Sequence, residues 1–198
     1  MEHYFTRNPT SPEKISYIRE VLRGRSILFK TSSGVFSKNK VDRGTKILIE
    51  AVDVNPGDVV MDVGCGYGAI GMSLSFSCDS AVLIDINERA CMLAKENILL
   101  NRIPNAYVVC GSPSCVGRSI DVVVMNPPIR AGKKVVFQLI AESKKCLKKG
   151  GRLYVVARTR QGAKSIYSYM GGLFSDVEYV SLKGGYRVIE GTCTSCNS

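Results

Sequence analysis

From about residue 52 to residue 190, continuous apolar runs alternate with stretches in which apolar positions recur every three or four residues. The runs VVMDVG, SAVLIDI, AYVVCG, IDVVVMN and LYVVAR are rich in Val and Ile, with few polar breaks. Strands covered on both faces of a parallel sheet carry this pattern. Between them the spacing predicts helices: one opening near Ala69 after a glycine-rich loop, one capped by Asn87 and running through about Leu100, one over GKKVVFQLIAESKKCLKKGG stopped by Gly150 and Gly151, and one over GAKSIYSYMGGLF. Two last strands, DVEYVSLK and YRVIE, are joined by Gly184-Gly185, a link too short for anything but an antiparallel pair. The predicted class is α/β: a doubly wound, mainly parallel seven-stranded sheet with helices on both faces and an antiparallel C-terminal edge hairpin, a Rossmann-like arrangement.

The N-terminal part breaks the alternation. Ser11-Pro12 reads as a cap followed by a first-turn proline, and Ile15, Ile18, Val21 and Leu22 then share one face of a predicted helix. SILFKTSSGVFS reads as two short strands around Ser33-Gly34. A further helix from about Gly44 carries Ile47, Leu48 and Ala51, and the turn NPGD leads into the first core strand. Residues 1–198 are therefore expected to form a single domain: 1–51 a basic extension packed on the core, 52–190 the core, 191–198 a tail.

Composition adds limits rather than an identity. At 198 residues and 45% hydrophobic content the chain can bury one sizeable core. Eight cysteines lie scattered in apolar stretches without framework spacing, and no run is long enough to span a bilayer, so the expectation is a soluble, cytoplasmic protein with reduced thiols and no membrane partner. Cys193 and Cys196 make a lone C-x-x-C, too little for a zinc site, and no metal is expected. The net charge is +10, and residues 1–46 hold ten Lys/Arg against four Asp/Glu, which is +6 of it. That asymmetry points to a polyanion such as nucleic acid, with Arg23, Arg25 and Lys38 as candidate phosphate contacts. The lysine pairs at 133–134, 144–145 and 148–149 read as a solvated helix face, and His3, the only histidine, as surface or local packing.

Candidate chemistry lies where the strands end. Asp62-Val63-Gly64-Cys65-Gly66-Tyr67-Gly68 follows the first core strand, and Asp85 closes the next. Successive glycines let backbone approach a ligand, and a carboxylate about twenty residues on can accept from ribose hydroxyls, so the pair describes a nucleoside-cofactor site. Gly66, Gly68 and Gly71 also fit the dinucleotide spacing G-x-G-x-x-G. Asp62 argues for S-adenosylmethionine instead, because a carboxylate in the loop repels a pyrophosphate and suits an ammonium group. The fourth strand ends in Asn126-Pro127-Pro128-Ile129, a rigid elbow that cannot continue a ladder. The Asn126 side-chain oxygen and the Pro127 carbonyl are suited to hold the two hydrogens of an exocyclic or amide amine.

The loop DVGCGYG, the strand end LIDIN and the elbow NPPI followed by RAGK resemble the class I methyltransferases of the methyltransferase small domain family. The resemblance runs through HYF, FKTSSGVFS, VDRGT, TRQGAKS and KGGYRV, nearly the whole chain. It implies an S-adenosylmethionine-dependent enzyme similar to those that methylate guanine N2 in small-subunit ribosomal RNA and to stand-alone archaeal relatives. It also implies a cofactor site of Asp62, Gly64, Cys65, Gly66, Tyr67, Gly68, Asp85, Ile86 and Asn126, with Ser112 in place of the Asp that often faces adenine, and a target-amine site of Asn126, Pro127, Pro128 and Ile129. Ile129 replaces the aromatic that many relatives place there, which leaves Phe36, Tyr67 and Tyr186 as candidates to stack on a base. Ser37, Asp42 and Thr45 are candidates for the cofactor entrance, and helix capping accounts equally for Asp42. The implied partner is RNA, ribosomal ahead of transfer RNA, modified at guanine N2 ahead of adenine N6. A protein glutamine amide and a non-catalytic RNA-binding role are the alternatives.

Overall fold

The computed structural model describes residues 14–32 and 39–194. Nine strands and five α-helices follow in the order β1 (Ile15–Leu22), β2 (Arg25–Ser32), α1 (Arg43–Ala51), β3 (Val59–Val63), α2 (Ala69–Ser75), β4 (Ser80–Asp85), α3 (Glu88–Leu100), β5 (Ala106–Cys110), β6 (Ile120–Met125), α4 (Lys133–Cys146), β7 (Leu147–Arg158), α5 (Lys164–Gly171), β8 (Asp176–Lys183) and β9 (Tyr186–Thr192). The main sheet has seven strands in the order β5-β4-β3-β6-β7-β9-β8. Its first five strands are parallel, and β9 runs antiparallel between β7 and β8. The predicted class therefore holds, with helices α1, α2 and α3 packed on one face and α4 and α5 on the other. Strand order reverses between β3 and β6, which is where such sheets open a crevice at their carboxyl ends.

The N-terminal helix is a correction. Ile15–Leu22 is a strand, paired over its full length with β2. Ile15, Ile18, Val21 and Leu22 satisfy helical spacing, but Ile15, Tyr17, Arg19 and Val21 also alternate with the more buried Ser16, Ile18, Glu20 and Leu22. β-Branched and aromatic side chains fit the pleat better, and an available partner strand decides the outcome. Arg23 and Gly24 both take positive φ, 47° and 73°, as a two-residue hairpin turn requires. Of the two strands expected around Ser33-Gly34, the first is β2, paired with β1, and the turn and second strand fall on residues 33–38, outside the described residues, as do His3, Phe36, Ser37, Lys38 and Cys196.

Two asparagines dock this hairpin. Asn97 and Asn101, one turn apart on α3, bond the open edge of β2 as a neighbouring strand would. Asn97 Oδ1 accepts from Lys30 N (2.7 Å) and its Nδ2 donates to Lys30 O (2.9 Å). Asn101 does the same at Leu28, at 3.0 and 2.8 Å. Asn97 Nδ2 also donates to the Tyr67 carbonyl at 2.9 Å, so one fully buried amide ties the hairpin to the glycine loop.

A smaller correction concerns the end of α4, which stops at Cys146 rather than at Gly150-Gly151. Leu147 is buried and pairs with Ile120, so β7 starts at once; Gly150 then turns at φ 81°, and a Cβ at Gly151 would crowd Leu147 and two backbone carbonyls. Among the described residues no helix is long and apolar enough to cross a membrane, and the seven described cysteines are free.

Candidate functional site

The site grows from the ends of β3, β4 and β6. After β3, Gly64 and Gly66 turn the chain at φ 71° and 57°, and a Cβ on Gly64 would meet open space. Gly68 and Gly71 serve differently. A Cβ on either would lie 2.9 Å or less from a Leu83 side-chain atom, so these two let α2 lie close on β4.

The loop's amides are largely spent inside it. Gly64 N and Cys65 N donate to the Ile84 carbonyl at 2.9 and 3.1 Å, Gly66 N to Asp85 Oδ2 at 3.0 Å, Gly68 N to the Cys65 carbonyl at 2.9 Å and Gly71 N to Asp62 Oδ2 at 2.9 Å. A loop so arranged has few N–H groups to offer a pyrophosphate, and carboxylates lie beneath and beside it. The G-x-G-x-x-G spacing therefore has the sequence of a dinucleotide loop without its donors.

Asp85 holds the loop with one oxygen and the start of α3 with the other, Asn87 N donating to Oδ1 at 2.9 Å. Burial pushes its carboxyl above the ordinary range, opposed by the N–H groups of Asn87 and Gly66. Asp62 is fully buried below the loop and is not part of the cavity wall. Its Oδ1 has no hydrogen-bond partner. Burial raises its pKa to about 7; the Gly71 N–H pulls the other way, and the nearby Asp85 charge adds to the rise.

A cleft over the loop is lined by Gly64, Cys65, Gly66, Tyr67, Asp85, Ile86, Ser112 and Asn126, all expected from sequence. Asp62 and Gly68 were expected there too, and neither reaches its wall: burial of the one and packing of the other against Leu83 keep them below it. Val135 and Leu139 of α4 complete the wall. Their helical spacing marked them only as an apolar face, with nothing to say that it meets a ligand cleft. Ser112 Oγ shares a hydrogen bond with Ser114 Oγ at 2.5 Å.

Asn126 follows β6 and is held by Thr45, 81 residues earlier, in the first turn of α1. Its Nδ2 donates to Thr45 Oγ1 at 2.9 Å, which leaves Oδ1 as the free end of the amide. Asp42 caps the same helix, accepting from Gly44 N and Thr45 N, so the cap sets the hydroxyl that sets the amide. The elbow is an inverse γ-turn centred on Pro128 (φ −73°, ψ 74°), with Ile129 N donating to the Pro127 carbonyl at 2.8 Å.

A second cavity opens on the far side of the elbow. Asp42, Asn126 and Pro127 line both cavities, so the elbow is their junction. Ile129 faces the second cavity, as do Tyr186, Arg130, Lys133 and Arg158. Tyr186 is buried against Gly44, and its hydroxyl accepts from Arg158 Nε at 2.9 Å. Tyr67 lines the first cavity with its ring edge-on to Phe29, 5.4 Å between centroids. Lys133 is exposed, as helical spacing had placed it, and also stands at the rim of this cavity because the first turn of α4 starts there. Arg23 and Arg25, two of the candidate phosphate contacts, are at the other end of the sheet. Arg23 Nη2 donates to the carbonyl of Val52, just past the end of α1, and Arg25 lies over Phe76, just past the end of α2.

Comparison with known proteins agrees with this geometry. The family model for the methyltransferase small domain matches residues 26–190. The chain is 38% identical over 197 residues to the uncharacterized protein YbxB of Bacillus subtilis (strain 168), covering 96% of this chain and 97% of that one. It is 33% identical over 130 residues to ribosomal RNA small subunit methyltransferase C of Mannheimia succiniciproducens, covering 63% of this chain and 39% of the relative. Among solved structures, the T. thermophilus 16S rRNA N2 G1207 methyltransferase (RsmC) in complex with AdoMet and guanosine superposes with a TM-score of 0.82 at 21% identity, over 93% of this chain and 52% of that one. The chain thus spans about half or less of the length of these ribosomal RNA enzymes. A doubly wound sheet, a glycine loop answered by a carboxylate on the next strand, and a family match over residues 26–190 together establish that the chain belongs to the methyltransferase small domain family.

Proposed function

We propose that this protein transfers the methyl group of S-adenosylmethionine to an exocyclic amine of an RNA base, guanine N2 ahead of adenine N6. The observation that carries the reading is the junction: Asn126 and Pro127 stand between a cleft with the features of a nucleoside-cofactor site and a second cavity rimmed by cations.

The cleft suits the cofactor in three respects. Asp62 Oδ1 is a buried acceptor without a donor, and from beneath the loop it would draw an ammonium group in the cleft without touching it. Asp85 has acceptor capacity left on a carboxylate already fixed by two backbone N–H groups, as ribose hydroxyls need. Ile86 offers an exposed apolar side chain beside it for a purine face, with Ser112 next to the adenine edge. The sulfonium would supply an electrophilic methyl group to this site. Gly64, Cys65, Gly66 and Tyr67 line the wall against which the methionine portion would rest.

The chain's own task is alignment. An exocyclic amine is a poor nucleophile because its lone pair is delocalised into the ring. Asn126 Oδ1, left free while Nδ2 is held by Thr45, accepts one amine hydrogen, and the second lone pair of the Pro127 carbonyl accepts the other. With both hydrogens held, the nitrogen lone pair points at the methyl, and the rigid prolines keep the acceptors from following the substrate. The same two acceptors stabilise positive charge as it reaches the nitrogen, after which the proton departs to solvent.

Asn126→Ala tests this. Cofactor affinity by calorimetry should be unchanged, while methyl transfer under single-turnover conditions should slow by roughly 10²–10³, the scale for losing one preorganised partner. Asn126→Asp, which keeps an acceptor, should recover part of the rate. Parental turnover in the alanine variant would reduce the elbow to a turn.

A further inference from the structure

We infer that the second cavity is a phosphate clamp, in which Arg130, Lys133 and Arg158 hold the sugar–phosphate backbone beside the nucleotide whose base meets Asn126. The inference rests on the RNA-amine reading above and adds the residues that make the substrate a polynucleotide rather than a free nucleoside.

The cavity measures about 800 Å³, ample for a nucleotide, and runs from the elbow to the kinked loop Thr159–Ala163. Three cations line it: Arg130 in the short turn after the elbow, Lys133 at the start of α4, and Arg158 at the end of β7. Among the described residues none of the three has a carboxylate within ion-pair distance. The one carboxylate in the wall, Asp42, is engaged by two N–H groups of α1.

Cations at the opposite end of the sheet are arranged differently. Lys148 sits 2.8 Å from Asp121, and Arg152 lies 3.1 and 3.4 Å from Asp53 and Asp58. Lys148 and Arg152 are thus neutralised in place, whereas the three cations beside Asn126 stand without a counter-charge among the described residues. Fixed cations without counter-charges around a cavity raise the local concentration of anions. Arg158 is also oriented: its Nε donates to the Tyr186 hydroxyl and its guanidinium lies 5.1 Å from that ring's centroid, which leaves the two terminal nitrogens for a phosphate. Spread over the rim of one cavity, three such donors match successive phosphates of a single strand entering beside the reacting base.

Binding of a fluorescein-labelled, mixed-sequence single-stranded RNA of about 12 nucleotides, followed by anisotropy from 50 to 300 mM salt, tests the clamp. The variant Arg130→Gln, Lys133→Gln, Arg158→Gln should bind at least about tenfold more weakly at the lowest salt. Its slope of log affinity against log salt should be shallower by about 2, since each lost phosphate contact on a single strand removes about 0.7. Arg19→Gln with Arg25→Gln, on the hairpin, should leave both values at the parental level. Equal calorimetric affinity of parent and triple variant for S-adenosylmethionine certifies the fold, and Arg158→Lys alone should keep most of the RNA affinity. Parental slope in the triple variant, a loss in the hairpin variant instead, or no RNA binding by the parent would each overturn the clamp. Failure of the clamp with cofactor binding intact leaves the methyltransferase reading standing. Absence of cofactor binding removes that reading, whatever the salt slopes.

Discussion

Thr45→Val isolates the part of the site least visible from chemistry alone. Valine matches threonine in shape, keeps the backbone N–H that Asp42 accepts, and removes only the oxygen to which Asn126 Nδ2 donates at 2.9 Å. In the parent that bond makes one of two amide orientations dominant, the one that spends Nδ2 on Thr45 and leaves Oδ1 free. A neutral hydrogen bond of this kind contributes about 1–1.5 kcal/mol net, so its loss should lower the share of productive orientation by roughly 5–12-fold. The flipped amide would present a donor to an amine that is itself a donor. Single-turnover methyl transfer at saturating cofactor should therefore fall by about that factor, with cofactor affinity unchanged and Thr45→Ser close to parental. The double-variant cycle gives the sharper result: in an Asn126→Ala background, Thr45→Val should cost almost nothing further. A loss of equal size in both backgrounds would mean that Thr45 acts through the fold of α1, and the orientation argument would be refuted.

The remaining expectations concern the scaffold. Asn97→Ala removes three hydrogen bonds of a buried amide, to Lys30 N, Lys30 O and the Tyr67 carbonyl, and should cost about 3 kcal/mol in urea unfolding while weakening cofactor binding; a cost under about 1 kcal/mol would contradict the docking role. Gly71→Ala places a Cβ 2.6 Å from Leu83 Cγ and should destabilise by about 1–3 kcal/mol through overpacking, whereas Gly64→Ala meets open space and should cost about 1 kcal/mol from its left-handed backbone alone; equal stability of parent and Gly71→Ala would overturn the packing account. Asp62 titrates at about 7 in the fold against 3.8 for a free carboxyl, so the folded state binds more protons between those values. Its contribution to stability is full below about pH 4 and is lost as pH rises through 7. Asp62→Asn should therefore gain on the parent across that window, by on the order of 3 kcal/mol, while binding S-adenosylmethionine more weakly; a parent-to-variant gap that ignores pH would refute the assignment.

The sheet was legible because strands buried on both faces must be continuously apolar, and the Asn87 cap and the Gly184-Gly185 turn announce themselves by residue type. The hairpin was not. Ile15, Ile18, Val21 and Leu22 satisfy the helical period yet fall on both faces of a strand, and an Arg-Gly turn lacks the usual asparagine signal, so only the partner strand decides. Among site residues, the strand-end positions Asp85, Ser112 and Asn126 were legible because α/β sheets put ligands there. Burial of Asp62 and the use of Gly68 to seat α2 on Leu83 depend on which side chains fill the space below the loop, which residue type does not specify. The contact of Thr45 with Asn126 spans 81 residues, and capping alone accounted for its neighbour Asp42. Charge counted along the chain likewise does not say which end of the sheet a hairpin turn reaches, and Arg23 and Arg25 stand at the end away from Asn126.

The central claim is transfer of a methyl group to a base amine in RNA. It is tested most directly by incubating the protein with S-adenosylmethionine labelled in the methyl group, together with unmodified total RNA and total protein, and digesting each fraction to its monomers. The account predicts label in RNA, in a nucleoside methylated on its exocyclic nitrogen, N2-methylguanosine foremost, and its loss with Asn126→Ala. Label recovered as N-methylglutamine from the protein fraction, on a ring nitrogen or carbon of a base, or in neither fraction would contradict it.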